Sequence, residues 1–163
     1  MRHAVSHTIE PVFNPFSKIL ILGTMPSQKS REAGFYYAHP QNRFWRVLAA
    51  VLGRAVPETV FEKQALALEN GIALWDVLKS CEIKGSQDVS IKKPVANDIA
   101  AIVKQTRIAH VFTTGAAATK LYQKLCAATV GIEAYGLPST SAANAKSDLC
   151  ALIKAYNVIV DYL

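Results

Sequence analysis

The sequence predicts an α/β fold, a three-layer α/β/α sandwich around a short, mainly parallel central sheet. Short continuous apolar runs alternate with longer segments of helical period, and no internal repeat, low-complexity tract or linker divides the chain. Such alternation implies βαβ units, hence parallel strands with helices on both faces. A length of 163 residues suits one domain, 1–163, with a core large enough to need no disulfide or metal staple.

In chain order, Lys18–Gly23 (KILILG) reads as a strand buried on both faces. Asn42 to Leu52 is expected to be helical, with Phe44, Val47, Leu48 and Val51 on one face and Gly53 as the stop. Pro57 opens a second helix through Glu69, closed by Asn70-Gly71. Ile72–Val77 (IALWDV) is a second buried strand, and Pro94 to Thr106 a helix. His110–Thr114 (HVFTT) is a third strand, followed by a helix over Ala116 to Ala127. Thr129–Leu137 is the last strand, interrupted by Gly131 and Gly136, and a helix from about Asn144 to Tyr156 ends the pattern.

Composition narrows the function classes. Apolar residues make up 51% of the chain and charged residues 18%, which excludes a disordered chain. No apolar run spans a bilayer, and Met1 to Glu10 lacks the apolar core of a secretory signal, so a cytoplasmic protein is expected, nucleoid-associated in a bacterium. Cys81, Cys126 and Cys150 have no metal-ligand spacing and are expected to be buried free thiols; no metal or cofactor is expected. Eighteen basic against 12 acidic residues leave a net charge of +6, which suits a polyanionic partner. A phosphate-binding P-loop is absent.

Ligands of parallel sheets bind beyond the carboxyl ends of the strands. Three connections lie there: Gly23–Asn42, Asp76–Ile91 and Pro138–Asn144. The first begins with Gly23-Thr24-Met25-Pro26-Ser27, a stiff turn with exposed amides and hydroxyls. It continues to Phe35-Tyr36-Tyr37-Ala38-His39-Pro40-Gln41-Asn42-Arg43-Phe44-Trp45. Three aromatics in a row cannot all face one core by strand or helix period, which leaves a ring for a planar ligand such as an unstacked base. Phe44 and Trp45 read as core residues.

These segments resemble the uracil-DNA glycosylase superfamily. Ala38–Trp45 is similar to the mismatch-specific uracil glycosylases, and the whole chain more closely resembles the hypoxanthine-DNA (deoxyinosine) glycosylases. Pro11-Val12-Phe13, LILGTMPS, YYAHPQNRFW, LWDVLKSCEIKGSQDVSI, Asn97-Asp98, VFTTG and LPSTSAAN carry that likeness in order. The resemblance implies a monofunctional, metal-free glycosylase, most simply a monomer. It would flip a deaminated base, hypoxanthine before uracil or xanthine, out of double-stranded DNA and cut its N-glycosidic bond with water.

The resemblance also implies site roles. Most of the superfamily carries a water-positioning polar residue two places after the first Gly of the turn; Met25 stands there. The hypoxanthine branch uses an Asn in a Tyr-Tyr-Gly-Asn setting, where this chain has Ala38-His39. His39 is therefore ranked first as the catalytic residue, to orient water or donate to the leaving group. Asp88 is second, for water or base contact. Asn42 is third, to bind the base edge or to cap the following helix. Asp76, at a strand end, is a further candidate or a structural hydrogen-bonding residue.

Tyr37 would stack on the flipped base, and the Thr24 and Met25 amides would bind its carbonyl. Ser27, Ser139, Thr140, Ser141 and Asn144 would contact DNA phosphates, helped by the dipole of the following helix. Lys84, Lys92, Lys93 and Lys146 are candidate phosphate contacts. Leu137 stands where the most efficient uracil enzymes have His, which argues against strong uracil activity. Two other readings stay open: a DNA-binding module of the same fold without catalysis, and a nucleotide-binding α/β protein.

Overall fold

In a computed structural model, residues 2–84 and 90–163 are described. The apolar runs form a four-stranded, all-parallel sheet. Its strands are β2 (Ile19–Gly23), β3 (Ile72–Asp76), β6 (His110–Thr114) and β7 (Ala134–Leu137), in the order β3-β2-β6-β7. All five residues of β2 are buried, as a central strand covered on both faces requires.

The two faces of β2 feed separate cores. Ile19 and Ile21 pack with α2 (Phe44–Leu52), α3 (Val60–Glu69) and α7 (Leu149–Tyr156) through Phe44, Leu48, Leu66 and Leu152. Leu20 and Leu22 face α4 (Ile99–Lys104) and α5 (Ala116–Leu125) through Ile99, Ile102 and Tyr122. This is the expected α/β/α layering.

Helix boundaries follow local chemistry. Gly53 ends α2 at φ 66, where a side chain would be strained. Helix α3 begins with a capping box, the Thr59 hydroxyl and Glu62 carboxylate each satisfying the other residue's amide. It therefore starts at Val60, not at Pro57.

Further sequence expectations need correction. A second, antiparallel sheet of order β1-β4-β5 covers part of the α4/α5 face, from β1 (Arg2–Ser6), β4 (Leu78–Lys84) and β5 (Lys92–Ala96). The segment from Pro94 is an edge strand before α4, because an edge tolerates the missing amide of proline. Residues Ala127–Val130 are a short helix, α6, so β7 starts only at Ala134. The last helix begins at Leu149 behind an Asp148 cap, not at Asn144. Cys81 and Cys126 are buried, but Cys150 is exposed on α7, whose buried face is carried by Leu152 and Tyr156.

Strand β2 has β3 on one side and β6 on the other, so successive connections leave it in opposite directions. Such a switch point opens a crevice at the strands' carboxyl ends. Gly23 and Thr114, the last residues of β2 and β6, stand at its mouth.

Candidate active site

A cleft of about 1210 Å³ occupies that crevice, its walls made by the turn after β2, the aromatic loop and residues 138–146. It is wide enough for a planar base together with part of its sugar. Thr24, Met25, Ser27, Tyr37, His39, Asn42, Ser139, Thr140, Ser141 and Asn144 all line it. Asp88 lies outside the described residues.

The turn is shaped by its neighbours. Gly23 and Thr24 carbonyls accept from the amides of Val77 (2.8 Å) and Leu78 (3.1 Å), which hooks the end of β3 onto the end of β2. Among the described residues the Thr24 and Met25 amides have no partner within the chain. Met25 leans against the α4/α5 core. Ser27 caps the short helix α1 (Gln28–Ala33), accepting from the Ser30 amide at 3.1 Å. Buried Ser30 accepts in turn from the Ala38 amide at 3.1 Å, fixing the aromatic loop to α1.

The three aromatics divide as their burial dictates. Phe35 stacks on Trp45, and Tyr36 is buried with its hydroxyl donating to Glu10 O at 2.9 Å. At Tyr37 the backbone turns to φ 53, a left-handed conformation costly for a bulky residue. The turn sends this ring to the cleft, stacked on Phe44 at 3.8 Å between centroids and 13° between planes. Among the described residues its buried hydroxyl oxygen has no partner in hydrogen-bonding geometry. Thr114 approaches it, but the Thr114 hydroxyl donates to Leu22 O at 3.5 Å. Burial, with the nearby Asp76 charge, holds the phenol well above its usual pKa.

His39 Nδ1 accepts from the Gln41 amide at 3.1 Å, which leaves the ring proton on Nε2. Asn42 Oδ1 accepts from the Phe44 amide and from the Thr140 hydroxyl, each at 2.9 Å. The Phe44 bond, whose N–H can only donate, identifies that atom as the amide oxygen and leaves the Asn42 NH₂ as the remaining donor.

The second wall is a set of short turns. Ser139 Oγ accepts from the Ser141 amide, Ser141 Oγ from the Ala143 amide, and the Asn144 side chain donates to Ser139 O. Arg43 fastens this wall to α2 with its guanidinium donating to the carbonyls of Thr140, Ser141, Asn144 and Ser147. Tyr156 adds a hydroxyl bond of 2.6 Å to Pro138 O. Four residues separate Asn144 from the start of α7, whose first turn is capped by the Asp148 carboxylate. The helix dipole expected to assist Ser139 and Ser141 is therefore spent on Asp148.

Sequence reasoning missed His7. It follows β1 and reaches the cleft floor, where Nε2 lies 2.8 Å from Asp76 Oδ2, with side chains only 3% and 5% exposed. The Ile9 amide donates to His7 Nδ1 at 3.3 Å, so the proton on Nε2 is the one shared with Asp76. Burial lifts the Asp76 carboxyl above the usual carboxylate range, partly offset by the bond and charge of His7. Asn97, buried, donates to the carbonyls of Asp76 and Leu78 and fixes the backbone there. No local signal marks His7, because its partner is 69 residues away.

The profile of the Uracil DNA glycosylase superfamily matches residues 10–160 of this chain. The chain belongs to that superfamily. Among curated relatives of this superfamily member, a hypoxanthine DNA glycosylase of Methanosarcina acetivorans is 33% identical over 134 residues, 82% of this chain and 84% of its own. The hypoxanthine DNA glycosylase of Methanosarcina barkeri is 31% identical over 138 residues, 84% and 87% of the two chains. A solution NMR structure of a Methanosarcina acetivorans protein of the uracil DNA glycosylase type superposes with a TM-score of 0.77. It is 28% identical, and the match covers 98% of this chain and 99% of that one.

Among the described residues, no three His, Cys, Asp or Glu side chains group as a metal site, and no helix is long and apolar enough to cross a membrane. In this superfamily member Met25 offers only a weak thioether acceptor, and its side chain packs in part against the α4/α5 core.

Proposed function

We propose that the chain is a monofunctional DNA glycosylase of base excision repair. It flips a deaminated base out of the duplex, hypoxanthine first and uracil or xanthine next, and hydrolyses the N-glycosidic bond with water. The observation that carries this reading is the cleft: Tyr37, His39, Thr24 and Met25, the last two with amides unpartnered among the described residues, line one space at the switch point of the sheet.

Breaking the bond builds positive charge on the sugar and negative charge on the departing base. Tyr37 holds the base by its ring, a contact of about 1–3 kcal/mol. The Thr24 and Met25 amides receive the base carbonyl. Because the Gln41 amide occupies His39 Nδ1, the His39 role this geometry supports is donation from Nε2 to the leaving purine. Asn42, with its oxygen engaged twice, acts through its NH₂. Asp88 is the second candidate to position water.

Ser27, Ser139, Ser141 and Asn144 form the DNA-facing rim, whereas Thr140, expected there from the sequence, is buried with its hydroxyl on Asn42 and braces the wall from inside; a net charge of +6 favours the polyanion. The enzyme acts as a monomer in the cytoplasm, needs no cofactor, and residues 1–163 form one domain.

The test is a labelled duplex carrying deoxyinosine, deoxyuridine, deoxyxanthosine or a thymine mismatch, treated with alkali after incubation. Breaks confined to the deaminated positions are expected, and no break at any of them would refute the reading. Met25 favours one second reading, a damage-binding module without turnover. Selective binding of the inosine duplex with no cleavage at high protein excess would establish it.

A further inference from the structure

The antiparallel sheet has no part in the roles above. We infer that its outer face is a DNA-docking surface, seated on the phosphates of the duplex to one side of the extruded nucleotide. The inference rests on the glycosylase reading for its partner.

Register dictates what this face displays. Val5 and Cys81 are cross-strand partners buried in the α4/α5 core, so their neighbours point outward. Arg2 stands opposite Lys84, Ala4 opposite Glu82, and Glu82 opposite Lys92, all on the outer face. Lys93 should turn inward by alternation. Instead its backbone takes φ 50, in the left-handed region directly before Pro94, where the β4–β5 register is irregular. Such a conformation is costly for a lysine. It brings the Lys93 ammonium to the outer face, 3.2 Å from the Glu82 carboxylate and still 79% exposed. Four cations and one carboxylate leave this face at +3, half of the chain's net +6. Among the described residues neither Lys84 nor Lys92 has an ion-pair partner.

The face is placed to meet a duplex. Strand β4 continues from β3 across Val77, at one edge of the parallel sheet, and the 138–146 wall continues from β7 at the other. Strands about 4.8 Å apart separate those edges by roughly 14 Å, about four base-pair rises. Ile83, between Glu82 and Lys84, and Ile91, just before Lys92, line the cleft, so the basic face begins at its rim. A duplex with its extruded nucleotide in the cleft meets the 138–146 wall on one side and the basic sheet on the other. Contacts of this kind hold the backbone and read no base.

Fluorescence anisotropy of the full chain on undamaged and inosine duplexes, across a salt series, tests this. Lys84→Gln with Lys92→Gln should weaken both duplexes alike and make the slope of log affinity against log salt shallower by about 2. Lys104→Gln with Lys124→Gln removes the same charge from the last turns of α4 and α5 and should leave the slope unchanged. Glu82→Gln releases Lys93 and should tighten both duplexes about 2- to 5-fold, a gain that a damaged fold cannot imitate. On inosine duplexes truncated beside the lesion on one flank or the other, the penalty of the Lys84 and Lys92 changes should vanish for one truncation only.

An unchanged slope after the Lys84 and Lys92 changes, or an equal loss in the Lys104 and Lys124 control, would overturn the inference. So would a Glu82→Gln variant without the gain, or a penalty that is the same on both truncated duplexes. Binding is read without excision, so any of these results leaves the glycosylase reading standing. Failure to cut any deaminated base would remove that reading, while the salt slopes still decide the docking surface.

Discussion

Asp76 Oδ1 lies 2.5 Å from the point that a Cβ on Gly23 would occupy, so these residues fit together only because position 23 carries a hydrogen. Gly23→Ala must push the carboxylate off His7 or displace the end of β2. Crowding of this kind costs about 1–3 kcal/mol. Urea unfolding is expected to register that loss, with at least about a 10-fold slower inosine excision. An alanine variant with unchanged excision would show that the carboxylate has room to move.

Arg43 holds the second wall through a planar fork that no ammonium can copy. Arg43→Lys keeps the charge and loses most of these bonds. A stability loss of about 2 kcal/mol is expected, with duplex binding weakened at least about 10-fold at fixed salt, because the loop is no longer ordered beforehand. Fluorescence anisotropy and a urea melt measure the two effects. Unaltered binding would mean that the turns of residues 138–146 hold themselves.

His39 and Asn42 should separate by their effects. His39→Ala is expected to slow single-turnover excision about 100-fold or more with stability changed by less than about 0.5 kcal/mol. Asn42→Ala strands two donors, the Phe44 amide and the Thr140 hydroxyl, and should cost about 1–3 kcal/mol. If His39→Ala cuts normally and Asp88→Ala does not, the chemistry belongs to Asp88.

Acidity offers another handle. With its pKa raised by burial, Asp76 in the folded chain keeps a proton that the unfolded chain has already released. Its contribution to stability is full below the ordinary carboxylate pKa and is lost as pH rises through the raised value. Wild type should therefore lose stability relative to Asp76→Asn across that window, as urea melts at stepped pH would show. Tyr36 and Tyr37, both pushed up by burial, stay neutral throughout. A stability difference that is flat with pH would place the Asp76 titration elsewhere.

The parallel sheet was legible because β2 and β3 are nearly continuous apolar runs and β6 is a short run rich in β-branched residues with a buried centre. The antiparallel sheet was not. Register shifts between β4 and β5 break the alternation of LKSCEIK, and β1 buries only Val5. Pro94 reads as a helix start until the strand is known to be an edge. In the site, Tyr37 and His39 stood out because a loop crowded with aromatics has no packing period. The Arg43 contacts with residues about 100 positions away, and the His7–Asp76 pair, follow from tertiary proximity alone.

The cleft draws on positions spread along almost the whole chain: His7 meets Asp76 across 69 residues, and Asn42 meets Thr140 across 98. Contacts so distant in sequence raise the contact order of the fold, which slows folding. A chain still emerging from the ribosome, or one clipped before Thr140, possesses the aromatic loop but no opposing wall. The cleft therefore exists only when segments from both ends of the described chain are present and packed together.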